Sequence, residues 1–135
     1  MDAVLVAAAV VTLDRVHRPG WVRVVGERID AVGSGPAPEG VVVDLGDAVV
    51  VAGFVDVHCH GGGGVSFGED ADASAAAVAA HLAHGTTSVI ASLVTGPHDR
   101  MAREIASLAG LVEDGIVAGI HLEGPFVSPN RSGAL

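Results

Sequence analysis

The sequence has no tyrosine, no lysine and only one cysteine, and each shortage excludes a class of protein. A single cysteine, Cys59, cannot form a disulfide within the chain, and this usage is typical of the reducing cytoplasm. The seven basic residues are all arginines and are scattered, against 16 acidic residues and a net charge of −9. Binding nucleic acid needs a basic face that neutralises phosphates, so we expect no nucleic-acid partner.

Long apolar runs are also missing. The longest hydrophobic stretches are too short to cross a bilayer and carry the signals of strands, so we expect no membrane partner. Residues 1–13 are apolar, but Asp2 stands where a signal peptide has a basic residue, and we interpret them as strand. Aromatic residues make up 3% of the chain and hydrophobic residues 50%. Such a small-residue interior suits close packing of helices on a sheet.

The chain changes character near residue 52. Residues 1–51 have the pattern of short strands and predict a small β-subdomain, with candidate hairpins at Gly26-Glu27 and Gly46-Asp47. Residues 52–135 alternate strands with helices, which predicts an α/β fold with a parallel sheet. The predicted elements are strand Phe54–His58, helix Ala73–His84, strand Thr87–Val94, a helix from Pro97 to about Val112, and strand Ile116–Leu122. The first of these strands is apolar and β-branched, which predicts burial.

Two histidines flank Cys59 at the end of the first predicted parallel strand. Residues two apart in an extended chain point to one side, so His58 and His60 can reach one point while Cys59 faces away. Neutral imidazole is the commonest protein ligand for zinc and similar ions. The following run Gly61–Gly64 predicts a loop that lets a metal or substrate approach closely. A His-x-His pattern alone is weak support for a metal site.

A second pair, His121 and Glu123, ends the third predicted strand. Parallel sheets carry their active sites at the carboxyl ends of their strands, so the two pairs predict one metal site there. For each of these two residues an alternative without metal binding stays open. Glu123 could be a solvated carboxylate at the end of a strand, and His121 could be a hydrogen-bonded histidine in or near the core. Of the remaining candidates, we expect His81 and His84 to have a surface role on the first helix, and Cys59 to be a small buried filler.

These motifs carry a resemblance to a known family. The segment VVDLGDAVVVAGFVDVHCHGGGG resembles the start of the barrel in the amidohydrolase superfamily. The segment HLEGPF, with the Gly-Ala that ends the following loop, is similar to the corresponding motif of N-acetylglucosamine-6-phosphate deacetylases. The resemblance covers essentially the whole chain, which is similar to the amino-terminal portion of proteins of that family.

The resemblance implies a partial (β/α)₈ barrel of TIM type, of which this chain holds the first three strands, preceded by a small β-sandwich. It implies hydrolysis of the acetamide of N-acetylglucosamine 6-phosphate, giving acetate and glucosamine 6-phosphate in amino sugar catabolism. The implied cofactor is a divalent metal, foremost zinc, with iron, cobalt and manganese as alternatives. A cytoplasmic location is expected, and full-length relatives are commonly homodimers.

The resemblance also assigns residues. His58, His60 and Glu123 match metal ligands, and Ala134 matches a position whose backbone lies against the sugar. Leu135 stands where relatives usually carry a histidine of the substrate pocket, which departs from the family pattern. The general acid and base is expected beyond residue 135, because a complete barrel needs roughly 250 residues. We therefore expect the isolated chain to be inactive.

Two alternative functions stay open at this stage. The chain could be a truncated, catalytically incomplete remnant with at most metal binding. It could also belong to another amidohydrolase, such as a dihydroorotase or an isoaspartyl dipeptidase.

Overall fold

The computed structural model describes residues 2–131 and residue 133. Over these residues the chain divides into two compact units at the junction between Ala52 and Gly53. The first unit is built from strands, and the second alternates strands with helices. The fold is therefore α/β with mixed sheets, as the sequence predicts at this level.

The first unit contains two small sheets. Its strands are β1 (Ala3–Ala7), β2 (Ala9–Val11), β3 (Val16–His17), β4 (Gly20–Val25), β5 (Arg28–Ser34), β6 (Val41–Asp44) and β7 (Val49–Val50). One sheet has the order β5-β4-β1-β6 and the other the order β3-β2-β7. Valine fills many of the strand positions, which suits a pleated, half-buried surface.

The hairpin predicted at Gly26-Glu27 is confirmed. Strands β4 and β5 pair antiparallel, with Val25 opposite Arg28 at the turn. Gly26 has a φ angle of 63°, a left-handed conformation that glycine adopts without steric cost. The turn therefore fixes the register of both strands, as its sequence indicates.

The hairpin predicted at Gly46-Asp47 is wrong. Strand β6 runs parallel to β1 in one sheet, and β7 runs parallel to β2 in the other. Between these pairings, Leu45 N donates to Val6 O at 2.8 Å, and Ala8 N donates to Gly46 O at 3.0 Å. Strands β6 and β7 thus satisfy their backbone groups against the first two strands of the chain, and the turn at Gly46 marks a change of sheet.

The second unit is a parallel sheet packed against two helices. Its elements are β8 (Phe54–Cys59), β9 (Gly61–Gly62), β10 (Val65–Ser66), α1 (Ala71–Leu82), β11 (Thr86–Leu93), α2 (His98–Glu113), β12 (Gly119–Leu122) and a 3₁₀ turn (Pro129–Arg131). Strands β8 and β12 both pair in parallel with the central strand β11. The predicted alternation and parallel pairing are confirmed, and β9 and β10 add a short antiparallel pair inside the glycine-rich segment.

Both helices begin at residues that favour helix starts. The Asp70 carboxylate accepts a hydrogen bond from Ala73 N at 2.7 Å, which caps α1. Helix α2 starts directly after Pro97. Asp99 lies in the first turn of α2, where its carboxylate accepts a hydrogen bond from Arg103 at 3.0 Å, and this hydrogen bond lowers the pKa of that carboxyl.

The core of the second unit lies between the sheet and its helices. Its buried members come from the central strand β11, from both helices and from two connecting segments, and partly buried Cys59 of β8 and Ile120 of β12 pack against them. They are Phe67, Ala77, Val89, Ala91, Leu93, Leu108, Leu111 and Val117. Burial of these apolar side chains is the main force that holds the helices on the sheet.

Strand β8 is more exposed than its apolar sequence predicts. Val55 and Val57 expose 65% and 62% of their surface, and Phe54 exposes 61%. Side chains two apart along a strand share a face, so both valines lie on the face that the described helices leave uncovered. The prediction of burial is wrong for this strand, because the described residues cover only one side of the sheet.

The three parallel strands form an open sheet, and residues 2–131 form no closed barrel. Within the same residues, neither helix has the length and apolar character needed to cross a membrane.

Replacing Leu108 with alanine should lower the free energy of unfolding by about 2–5 kcal/mol, because Leu108 is fully buried between α2 and the sheet. Urea unfolding followed by circular dichroism measures this change. Leu82→Ala is the matched control, since Leu82 is 57% exposed on α1 and should lose less than about 1 kcal/mol. Equal losses in the two variants would contradict the proposed core.

Candidate metal centre

Four polar side chains gather at the carboxyl end of the parallel sheet. His58 lies near the end of β8, and His60 follows that strand directly. His121 lies in β12, and Glu123 follows it. Strands β8 and β12 flank the same central strand, so their carboxyl ends meet at one edge of the sheet.

The three side chains predicted as metal ligands are in mutual contact. Glu123 Oε1 lies against His58 Nε2 and is 3.3 Å from His60 Nε2. The two histidine Nε2 atoms are 3.2 Å apart. The structure thus brings His58, His60 and Glu123 together around one point, although the histidines and the glutamate lie on different strands.

This donor set fits a divalent cation. Two imidazole nitrogens and one carboxylate oxygen are the ligand types that zinc takes at about 2.0–2.2 Å. Ligands of one tetrahedral ion are then about 3.3 Å apart, which is close to the separations of the Nε2 atoms and of Glu123 Oε1 from His60. Residues of this part of the chain can therefore hold a metal ion.

The carboxylate is sheltered and the imidazoles are open. The Glu123 side chain is 17% exposed, whereas those of His58 and His60 are 54% and 45% exposed. A sheltered carboxylate interacts more strongly with a cation than one in bulk water, because the local dielectric constant is lower. The open side of the site, lined by the two rings, is where a ligand can approach.

His121 lies in the same group of side chains. The sequence alone left open whether it belongs there. It has a ligand atom within 4.8 Å of ligand atoms of His58 and Glu123. Its ring centroid is 5.1 Å from that of His58, in an edge-on arrangement. His121 is exposed and lies beside the other three side chains, and it also has the hydrogen bond that the alternative describes, with Ser92 Oγ 3.1 Å from its Nδ1 atom.

A bulge in β8 decides which side chains face the centre. Asp56 lies opposite Val89 and Cys59 lies opposite Ala91, so three steps along β8 match two steps along β11. Within the bulge, the Asp56 carboxylate accepts a hydrogen bond from His58 N at 3.1 Å. Cys59 packs against the core on the helix side, away from the centre, as the sequence predicts.

The prediction of a surface role for His81 is wrong. His81 on α1 places its Nε2 atom 2.9 Å from Gly61 O and 3.1 Å from Cys59 Sγ. A Cβ atom added at Gly62 would lie 2.9 Å from the backbone oxygen of Ala77 as well as 2.8 Å from the same Nε2 atom, so α1 packs against this residue because it is glycine. Helix α1 therefore contacts the glycine-rich segment that directly follows His60. The spacing of His81 and His84 along the helix does not predict this contact.

A recess of about 280 Å³ opens beside His60. It is bounded by the ends of β8 and β11 and by the first turns of α2, and its polar lining residues are Ser66, Glu69, Ser92, Arg100 and Glu104. His60 is one of its lining residues, so the recess adjoins the group of polar side chains. The predicted substrate-binding residue Ala134 and the neighbouring Leu135 lie outside the described residues.

Comparison with known proteins identifies relatives. The family model described as "Amidohydrolase family" matches residues 49–134. The chain is 39% identical over 98 residues to N-acetylglucosamine-6-phosphate deacetylase of Bos taurus, which covers 67% of this chain and 24% of the relative. It is 32% identical over 141 residues to the enzyme of the same name from Bacillus subtilis, which covers 93% of this chain and 35% of the relative.

A solved structure supports the same grouping. The crystal structure of N-acetyl-D-glucosamine-6-phosphate deacetylase from Mycobacterium smegmatis superimposes with a TM-score of 0.87 at 46% identity, covering 93% of this chain and 36% of that one. The chain thus spans about a quarter to a third of the length of these relatives. The family model alone matches well over half of the chain, and the chain belongs to the amidohydrolase family.

Proposed function

We propose that this chain carries the first metal-binding residues of an N-acetylglucosamine-6-phosphate deacetylase. The whole protein hydrolyses the acetamide of N-acetylglucosamine 6-phosphate and releases acetate and glucosamine 6-phosphate, a step of amino sugar catabolism. The observation that carries the proposal is the contact of Glu123 with His58 and His60 at the carboxyl end of a parallel sheet. The similarity to deacetylases of three organisms supports the choice of reaction.

The fold proposal follows from the same likeness. Strands β8, β11 and β12 are the first three strands of a (β/α)₈ barrel, and their order in the sheet is the order in which such a barrel adds strands. The two sheets of residues 1–51 are a β-sandwich subdomain, and residues 52–135 begin the barrel. The exposed valines of β8 are then positions that face the barrel interior.

His58, His60 and Glu123 would hold the metal, which is zinc by preference, with iron, cobalt and manganese as alternatives. When bound, a divalent cation supplies Lewis acidity toward the amide oxygen and the attacking water. The chain's own residues have separate tasks. The two imidazoles contribute neutral donors, Glu123 contributes the negative charge, and the glycines after His60 leave the approach free of side chains.

The remaining parts of the proposal concern the whole protein. A general acid and base must carry a proton from water to the leaving amine, and we assign it to a part of the protein outside this chain. Ala134 lies against the sugar through its backbone. The partner is a small amino-sugar phosphate, the full-length protein is a homodimer, and the low cysteine content supports a cytoplasmic location.

The chain should bind one zinc ion, and Glu123→Gln should weaken this binding at least about tenfold, because a neutral amide replaces the only charged donor. Competition with a chromophoric chelator measures the affinity. Glu113→Gln is the matched control, since Glu113 is exposed at the end of α2. Equal zinc affinity in the wild type and Glu123→Gln would contradict the proposed ligand set.

The reaction itself can be tested in a chimera. Residues 1–133 should restore acetate release from N-acetylglucosamine 6-phosphate when they replace the matching segment of the M. smegmatis deacetylase. Glu123→Gln should lower this activity by at least about a hundredfold, because several kcal/mol of transition-state stabilisation depends on the metal. Glu113→Gln should leave it unchanged.

Each other result of the chimera experiment favours an alternative. A folded, zinc-loaded chimera that releases no acetate contradicts the deacetylase proposal. Hydrolysis of dihydroorotate or of an isoaspartyl dipeptide by the chimera would favour one of the other amidohydrolases. A chimera that does not fold would favour a catalytically incomplete remnant.

A further inference from the structure

Ser92 is a buried polar residue between the two halves of the metal centre. It lies in the central strand β11, and only 2% of its surface is exposed. Its strand register places it directly opposite His121 in β12. The same residue contacts the ring of His60, which directly follows β8, so it touches one histidine from each side of the central strand.

The backbone carbonyl of Ser92 orients His60. His60 Nδ1 lies 3.0 Å from Ser92 O. A carbonyl oxygen only accepts hydrogen bonds, so Nδ1 must carry the proton. The neutral ring then has its lone pair on Nε2, the atom that faces Glu123 and His58. A histidine that binds metal is held in just this way, with its second nitrogen donating to a carbonyl or carboxylate.

The hydroxyl of Ser92 orients His121. Ser92 Oγ lies 3.1 Å from His121 Nδ1. A hydroxyl can either donate or accept, so it can hold the ring in place in either neutral tautomer. The contact fixes the plane of the ring beside His58 and Glu123 without fixing the position of its proton.

A merely structural role explains this hydroxyl poorly. Central strands of parallel sheets are usually apolar on both faces, and a buried hydroxyl without a partner costs about 1–3 kcal/mol. The neighbours of Ser92 along the strand, Ala91 and Leu93, follow the apolar rule and are buried. The polar atom sits at the register position opposite His121, whose ring it contacts.

We propose that Ser92 is a positioning residue of the metal centre, which holds the His60 ring through its carbonyl and the His121 ring through its hydroxyl. The proposal rests on the proposed function, because it assumes that these rings face a bound cation. Ser92 itself does not touch the cation. Because Ser92 already restricts the orientations of the two rings, the rings lose less conformational entropy when a metal binds.

The test compares four variants of the chain in two measurements. Ser92→Ala removes the hydroxyl, Ser92→Cys keeps nearly the same volume with a weaker donor, and Ser92→Thr retains the hydroxyl. Ser88→Ala is the matched control, since Ser88 lies in the same strand away from the centre. The first measurement is zinc affinity by chelator competition, and the second is the imidazole ¹⁵N spectrum of the metal-free chain.

We expect Ser92→Ala to weaken zinc binding about tenfold, as loss of an outer contact to a metal ligand does, with a smaller loss in Ser92→Cys. Ser92→Thr and Ser88→Ala should remain within about threefold of the wild type. In the metal-free chain, the His121 Nδ1 signal should shift in Ser92→Ala and shift less in Ser92→Cys, while the His60 signal should keep the Nδ1–H tautomer in every variant.

Unchanged zinc affinity and an unchanged His121 signal in Ser92→Ala would overturn the proposal. If Ser92→Ala does not fold, Ser92→Cys decides by the same two criteria. If the wild-type chain binds no zinc, the proposed function fails, and the ¹⁵N comparison in the metal-free chain still decides whether Ser92 holds His121.

Discussion

The candidate metal centre depends on the parallel pairing of two outer strands with one central strand. The Glu123 carboxylate meets the imidazoles of His58 and His60 only because β8 and β12 both align with β11 and end at the same edge. A one-residue slip of either outer strand would turn its ligands to the opposite face. The apolar contacts between sheet and helices that fix this register therefore also fix the site.

Much of the second unit could be predicted from its sequence. Alternating apolar strands and helices indicate parallel βαβ units. The His-x-His spacing and the His121–Glu123 pair indicate two ligand pairs at strand ends. These predictions depend on local periodicity, which the tertiary structure preserves. The roles of His58, His60 and Glu123 as metal ligands, and of Ala134 at the substrate, stay predictions.

The features that sequence reasoning missed all depend on pairing between distant segments. The β8 bulge appears only when Asp56 and Cys59 are set against their partners in β11. The contact of His81 with Gly61 joins helix α1 to strand β9, and helical spacing gives no signal for it. Ser92 could have been noticed as a polar residue in an apolar strand, but its partners lie on the two neighbouring strands. The turn at Gly46 has the local chemistry of a hairpin, and long-range pairing overrides it.

The parallel pairing of β6 with β1 has a kinetic consequence. Ala3 at the start of the chain pairs with Val41, and Val6 pairs with Asp44. During synthesis, the backbone groups along one edge of β1 stay without their β6 partners until that distant segment leaves the ribosome. Closing so long a loop costs chain entropy before any pairing is gained, and it slows folding relative to a hairpin. The antiparallel hairpin of β4 and β5 joins neighbouring segments, so we expect it to form before β6 pairs with β1.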